Sequence, residues 1–127
     1  MKRNAYSQLI LLAVLALTCQ GCIIAAIGAG AGTFAYLNGK FSVILPNDLS
    51  AVCTATRAAL KKMKITPTFE KCDSLSGKVV AQNAMGKKIT ILLSSTPSDQ
   101  TNLSIRVGPF GNQDQSLTIY ENIKKNL

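Results

Sequence analysis

The sequence predicts an α+β domain in which an antiparallel sheet is covered on one face by a long helix and a C-terminal helix, in the order β-α-β-β-β-β-α. An apolar stripe with helical spacing follows the first strand, and a second such stripe ends the chain. Between the two stripes lie four segments in which apolar and polar residues alternate, separated by turn residues. Helices gathered on one face of a meander of strands form a stable two-layer arrangement.

The first strand and the long helix follow each other directly. Residues 40–45 have the strand sequence KFSVIL, and Asn38-Gly39 before them indicates a hairpin turn with residues 33–37. Asn47-Asp48 then provides an N-cap oxygen ahead of apolar residues that recur at helical spacing. This spacing predicts a helix over residues 49–64.

The remaining elements are four strands and a terminal helix. Pro67 removes a main-chain donor, which places the first of these strands at a sheet edge. The face away from the helices carries Thr90, Leu92, Ser104 and Arg106, so we expect it to be mixed in polarity and mostly solvated. The expected strands cover residues 65–72, 78–85, 88–95 and 103–107, and the expected helix covers residues 113–125.

Residues 1–21 have the organisation of a lipoprotein signal peptide. Two cations near the N-terminus precede residues 9–17, an apolar stretch too short to span a bilayer alone. Cys22 then follows the small residue Gly21, as in the lipobox of bacterial lipoproteins, where the cysteine thiol accepts lipid before cleavage on its N-terminal side. We expect cleavage before Cys22 and a covalent lipid, including palmitate, on its sulfur. An uncleaved membrane anchor is the alternative.

Two residues depart from the usual lipobox. Cys19 stands where leucine is common, and Gln20 is larger than the residue usually found there. Cys19 and Cys22 also have the CxxC spacing of redox and metal sites. Such sites need a strand–helix context or a second pair of ligands, and the chain contains no histidine. Lipidation therefore explains Cys22 better.

Residues 22–37 join the lipidated cysteine to the domain as a Gly/Ala-rich apolar tether. Gly28 and Gly32 have the small-xxx-small spacing that lets two membrane helices approach, so membrane insertion or self-association is one hypothesis. A flexible tether near the lipid surface is the other. Ile23 favours the outer membrane, because aspartate at that position retains many enterobacterial lipoproteins in the inner membrane.

The charges would attract an anionic partner, but the clustered lysines at residues 61–64 and 124–125 are explained by their places at helix ends, and no catalytic arrangement is present. The chain has 14 Lys and Arg against 6 Asp and Glu, which attracts anionic lipids or acidic polymers, but no nucleic-acid recognition motif is present. Glu70 and Asp73 are the only close acidic pair, and their spacing places them on opposite faces of a strand. We therefore expect no enzyme, no metal site and no cofactor beyond the lipid on Cys22.

Several short segments occur in an order that resembles a known family. After the lipobox cysteine and the Gly/Ala repeat come Tyr36 and Gly39, and then AALK at residues 58–61, LSGKVVA at 75–81, GKKITI at 86–91 and LSIRVGPFG at 103–111. Together these segments resemble domain-of-unknown-function family 3568, a group of small bacterial lipoproteins. The resemblance implies an envelope lipoprotein with a compact α/β domain and no assigned reaction. Some members are similar to helix-grip proteins of the pollen-allergen type, in which a long helix covers a curved sheet and often leaves an apolar cavity.

We expect residues 38–127 to form a non-catalytic binding domain, periplasmic or surface-exposed, that interacts with another envelope protein. The alternative is a carrier or sensor that holds a small hydrophobic ligand, such as a lipid or fatty acid, between helix and sheet. The residues that would line such a cavity would serve equally well in an ordinary core. They are Leu49, Val52, Leu60, Met63, Phe69, Ile91, Leu93, Ile105 and Tyr120.

Cys53 and Cys72 form an even pair in an oxidising compartment, so a disulfide between them is a candidate. The bond would tie the long helix to the next strand. If Ile65 and Phe69 face the helix, however, Cys72 points away unless the strand contains a bulge. The sequence therefore allows either a disulfide between Cys53 and Cys72 or two unpaired thiols.

Overall fold

The computed structural model describes residues 34–127 together with Gln8 and Ile10. Apart from those two residues, the expected signal peptide lies outside the described residues, as do Cys22, Gly28 and Gly32. Across the part that is described, no helix combines the length and the apolar character needed to cross a membrane.

Within residues 34–127, six strands and two helices follow in the order β-β-α-β-β-β-β-α, which confirms the α+β class. The strand that the expected order lacks is the first one. It pairs with the next strand through the hairpin turn that Asn38-Gly39 indicated in the sequence. The elements are β1 (Phe34–Leu37), β2 (Lys40–Leu45), α1 (Leu49–Lys62), β3 (Pro67–Cys72), β4 (Ser76–Gln82), β5 (Lys88–Ser95), β6 (Thr101–Val107) and α2 (Gln113–Lys124).

All six strands form one antiparallel sheet with the order β1-β2-β6-β5-β4-β3. β2 pairs with β6, so a strand that precedes α1 lies beside the last strand of the meander, with Val43 opposite Leu103. β1 and β3 are the edges. The predicted edge position of the strand that contains Pro67 is therefore confirmed.

The core lies on one face of the sheet, here called the inner face. Phe41, Ile105, Ile91 and Val79 form one row of cross-strand partners, and each is at most 1% exposed. Direct cross-strand partners share a face, so the row defines the inner face. α1 contacts β3, β4 and β5, and α2 contacts β2 and β6. The buried residues of both helices join those of the strands in a single hydrophobic cluster.

α1 begins at the predicted residue and ends two residues earlier than predicted. Asp48 occupies the N-cap position, but its side chain makes no capping hydrogen bond, contrary to the expectation; its main-chain carbonyl accepts a hydrogen bond from the Val52 amide at 3.1 Å. The C-cap residue is Met63, and Lys64 has a positive φ of 56°, which takes the chain out of the helix.

β3 contains an irregularity that decides which of its side chains face the helices. Pro67 pairs with Ala81 whereas Phe69 pairs with Val80, so the register shifts by one residue between them. The hydroxyl of the extra residue, Thr68, donates to the Val80 carbonyl at 3.1 Å. Because a one-residue shift reverses the faces of every later side chain, Phe69 turns outward. Cys72, which pairs with Gly77, turns inward.

Candidate functional site

Most of the residues that would line an internal cavity are packed together as a core. Phe69 does not join them, because the register shift in β3 places it on the opposite face, where it is 50% exposed. Met63 is partly buried and packs against the edge of the core. The other seven fill the space between helices and sheet at 5% exposure or less: Leu49, Val52, Leu60, Ile91, Leu93, Ile105 and Tyr120.

Tyr120 places a hydroxyl group inside this core. Its ring packs on Phe41 with centroids 5.1 Å apart. Among the described residues, neither this hydroxyl nor that of Ser116 has a hydrogen-bond partner. Burial, with a smaller contribution from the charge of Glu121, raises the pKa of Tyr120 above its usual value of 10.0. The phenol therefore stays neutral at physiological pH and is not available as a base.

The two cysteines of the domain are joined. A disulfide links Cys53 on α1 to Cys72 on β3, with Cα atoms 6.7 Å apart. The bond is possible because the register shift in β3 turns Cys72 toward the helix. A bulge in this strand was the condition under which the sequence allowed the pairing. The Glu70 carboxylate lies within 4.8 Å of both sulfur atoms, which gives a potential set of metal ligands. Sulfurs bonded to each other are not thiolates, however, and the Arg57 guanidinium holds the Glu70 carboxylate.

The acidic pair considered in the sequence is divided between two environments. Glu70 faces α1 and forms its ion pair with Arg57. Asp73 forms a salt bridge of 3.3 Å with Lys71 at the other face of the sheet. The two carboxylates therefore lie on opposite faces of the sheet and cannot act on the same substrate. Each forms an ion pair with a neighbouring cation.

The face of the sheet opposite the core, here called the outer face, carries cations between apolar side chains. Its cations are Lys40 on β2, Lys71 on β3, Lys78 on β4, Lys88 on β5 and Arg106 on β6, and all five are exposed. Asp73 is the acidic residue that borders this face in the described part of the chain. The exposed apolar residues of the outer face are Leu37, Ile44, Phe69 and Leu92.

Two lysines on the outer face oppose each other directly. Lys71 and Lys78 are cross-strand partners, and their row continues through Leu92, Ser104 and Ser42 across the sheet. Like charges in directly opposite positions destabilise a pair of strands. Asp73 offsets this repulsion only in part, because its salt bridge to Lys71 is more than half exposed on both sides. An anionic group bound between the two lysines would relieve the repulsion.

A shallow groove with a volume of about 480 Å³ runs along this row. Phe69 and Leu92 provide apolar contact, and the two opposed lysines lie beside them. Ser76, Ser94, Asn102 and Ser104 add hydroxyl and amide groups to the lining. The groove therefore suits a partner that combines a negative charge with an apolar part.

Comparison with known protein families identifies the chain. Residues 6–126 match the family described as Protein of unknown function (DUF3568). The chain belongs to the DUF3568 family. A search of curated proteins finds no match to it. The DUF3568 match includes the whole α+β domain and nearly all of the sequence before it, as the order of the short segments predicted.

The sequence alone predicts part of the outer face of this DUF3568 protein. The alternation in β5 and β6 places Thr90, Leu92, Ser104 and Arg106 outward, as the sequence predicted. The pairing of Lys71 with Lys78 and the outward turn of Phe69 were not predicted. Both depend on the register shift, for which Pro67 in an alternating segment was the available indication.

Proposed function

We propose that this DUF3568 protein is a lipoprotein of the bacterial cell envelope, lipidated at Cys22, whose domain binds another envelope component without catalysing a reaction. The signal peptide of residues 1–21 and the lipobox cysteine support the anchor. The Cys53–Cys72 disulfide supports export, because such bonds persist in oxidising compartments and are rare in the cytosol of most bacteria. Ile23 supports placement in the outer membrane.

The domain architecture supports a similarity to helix-grip proteins. α1 packs against three strands of an antiparallel sheet, and the strand before α1 pairs with the last strand of the meander. In this chain the space between α1 and the sheet is filled by apolar side chains. We therefore place the binding function on the outer face rather than in an internal cavity.

The direct opposition of Lys71 and Lys78 beside exposed apolar residues carries the binding proposal. In the folded domain the positive charges of Lys71 and Lys78 repel each other, and an acidic group of a bound partner would offset this repulsion. Phe69 and Leu92 are 50% and 39% exposed, and they would bury apolar surface against the same partner. The partner is accordingly an extended acidic segment of another envelope protein, with apolar residues between its carboxylates.

Peptide binding tests this proposal. The probe is a fluorescein-labelled peptide of alternating Glu and Leu, and a peptide of alternating Lys and Leu is the control probe. We expect the Lys71→Gln/Lys78→Gln variant to bind the Glu–Leu peptide about tenfold more weakly, since each exposed ion pair contributes up to about 1 kcal/mol. The matched variant Lys124→Gln/Lys125→Gln has the same loss of charge away from the outer face and should bind normally. Equal weakening in both variants would contradict a specific site.

A second candidate is a carrier of a fatty acid in the same groove. The groove volume of about 480 Å³ lies in the range of small-ligand sites and favours this candidate. Lys71 and Lys78 would hold the carboxylate, and the acyl chain would lie over Phe69 and Leu92. Native mass spectrometry of the purified protein should then show an acyl ligand that the Lys71→Gln/Lys78→Gln variant lacks. Repeated absence of such a ligand from the wild type would remove this candidate.

Membrane fractionation tests the anchor and its location. The wild type should stay with outer membranes through washes with high salt and alkali, because several lipid chains hold a protein firmly. The Cys22→Ser variant keeps its signal peptide uncleaved and should be absent from the outer-membrane fraction. The Ile23→Asp variant should move to the inner-membrane fraction in a bacterium that follows the aspartate sorting rule. An outer-membrane position for Ile23→Asp would contradict the role given to residue 23.

A further inference from the structure

Three turns meet at one end of the sheet, here called the tip. They are the β1–β2 hairpin at Asn38-Gly39, the β4–β5 turn over residues 83–87, and the loop over residues 108–111 after β6. The hairpin and the loop touch so closely that a Cβ atom added to Gly39 would collide with the backbone carbonyl of Phe110. The amide of Gly108 donates to the Lys88 carbonyl at 2.8 Å, which fixes the loop beside the β4–β5 turn.

Each of the three turns carries an exposed apolar side chain. Phe110 is 90% exposed, Leu37 is 70% exposed and Met85 is 67% exposed. They are three of the four most exposed large apolar residues in the described part of the chain. Single exposed apolar residues are ordinary on protein surfaces, whereas a cluster of them marks an interaction site.

Cations surround these apolar residues. Lys87 lies in the β4–β5 turn, and Lys40, Lys88 and Arg106 are strand residues within two positions of the three turns. No acidic residue occurs in residues 36–40, 83–88 or 106–112. The guanidinium of Arg106 donates to the Asn38 carbonyl at 2.9 Å, which holds this cation at the hairpin. The tip thus combines three projecting apolar side chains with four positive charges.

We propose that the tip docks on an anionic lipid surface, with the three apolar side chains below the phosphates and the cations at the level of the headgroups. Peripheral membrane contacts combine these two features, and long cationic side chains can keep their charge at the headgroups while their carbon chains lie deeper. The projection of these side chains favours a lipid surface over a folded protein, because a protein partner would have to supply three separate pockets. The anionic lipid offers the complementary charge.

The chain geometry allows the tip to reach the membrane of the proposed anchor, and to this extent the inference rests on the proposed function. Residues 23–33 lie between Cys22 and β1 and span at most about 40 Å. β1 runs from Phe34 to the tip over only about 10 Å, which is much less than the length that residues 23–33 can span. The tether is therefore long enough for the tip to contact the membrane that holds Cys22. Leu37, Lys40 and Arg106 belong to both surfaces and would face the lipid, whereas Lys71 and Lys78 lie farther from the tip and would remain accessible to a partner.

Tryptophan fluorescence tests the docking, because the chain contains no tryptophan. The full-length lipidated chain with Phe110→Trp is reconstituted in vesicles of brominated phosphatidylcholine that contain phosphatidylglycerol, and separately in vesicles without it. The matched variant Leu75→Trp places the reporter at a residue that is 74% exposed in the turn between β3 and β4. We expect blue-shifted, bromine-quenched emission from Phe110→Trp in the phosphatidylglycerol vesicles and solvent-like emission from Leu75→Trp.

The contribution of charge is measured in the Phe110→Trp chain. Lys87→Gln with Lys88→Gln should lower the docking equilibrium constant about thirty-fold, which corresponds to about 1 kcal/mol for each cation near an anionic surface. Lys124→Gln with Lys125→Gln removes an equal charge outside the tip and should leave the quenching unchanged. Equal quenching in vesicles with and without phosphatidylglycerol would overturn the role of anionic lipid.

The result that overturns the inference is solvent-like emission from Phe110→Trp in a chain that floats with the vesicles. Flotation reports the lipid anchor separately, so this result would leave the proposed function intact. If the chain carries no lipid, the same emission is measured with an excess of vesicles. Quenching at position 110 would then still support docking, and its absence would still overturn it. If the tip binds a protein instead of lipid, the tryptophan at position 110 would stay unquenched, and the inference would be overturned.

Discussion

Removal of the Cys53–Cys72 disulfide should cost the domain much of its stability. The bond closes a loop with a sequence separation of 19 residues. Loop-closure entropy for this length gives about 3 kcal/mol at 25 °C in the chain-entropy treatment of disulfides. A single domain of this size typically has only 5–15 kcal/mol in total. We therefore expect the Cys53→Ala/Cys72→Ala variant to unfold roughly 12–24 °C below the wild type, at about 4–8 °C per kcal/mol.

Thermal unfolding followed by circular dichroism measures this loss. The wild type with and without a reducing agent provides the control, because reduction breaks the same bond and leaves both side chains in place. The two comparisons should agree to within about 1 kcal/mol, apart from the small cost of truncating Cys53, which is 2% exposed. A double variant that unfolds at the wild-type temperature would refute the assignment of the bond as a stabilising link between α1 and β3.

The packing of the domain and the tether lead to five further predictions. Tyr120→Phe should keep or raise the stability by up to about 1 kcal/mol, because the buried hydroxyl has no partner among the described residues. Urea titrations from pH 9 to 12 should show that the wild type loses more stability above pH 10 than Tyr120→Phe does, since the raised pKa means that the folded state retains the phenol proton. Gly39→Ala should cost about 2–3 kcal/mol in urea unfolding, because Gly39 has a φ of 78° and its Cβ would meet the Phe110 carbonyl. Glu70→Gln should cost less than about 1 kcal/mol, because the Arg57 side chain is 53% exposed, and a larger loss would contradict this weak ion pair. Gly28→Leu with Gly32→Leu should leave crosslinked oligomers unchanged if residues 23–33 act as a tether, whereas loss of oligomer bands would indicate self-association.

Local patterns were sufficient to predict most of the architecture. The helical stripe that begins at Leu49 locates α1, and strict alternation locates β5 and β6, because each period belongs to one kind of element with one buried face. The hairpin at Asn38-Gly39 was also visible in the turn residues. The pairing of β2 with β6 was not, because a contact between strands far apart in sequence leaves no local pattern.

The parts of the candidate site that were missed depend on one backbone irregularity. Parity along β3 placed Phe69 against the helices and left Cys72 pointing away. The shift between Pro67 and Phe69 reverses both orientations. A single inserted residue thus decides whether the disulfide can form and whether Lys71 joins Lys78 on the outer face. Residue type and spacing alone do not fix such a shift, because it depends on how β3 pairs with β4.

Radioactive palmitate labelling of the cells tests the central claim, lipidation at Cys22, most directly. The wild type should incorporate label, and Cys22→Ser should incorporate none and should retain the mass of the uncleaved signal peptide. Cys19→Leu serves as the matched control, because it removes the neighbouring thiol and supplies the leucine that is common at this lipobox position, so labelling and cleavage should be unchanged. Label that persists in Cys22→Ser, or that disappears in Cys19→Leu, would contradict an anchor at Cys22.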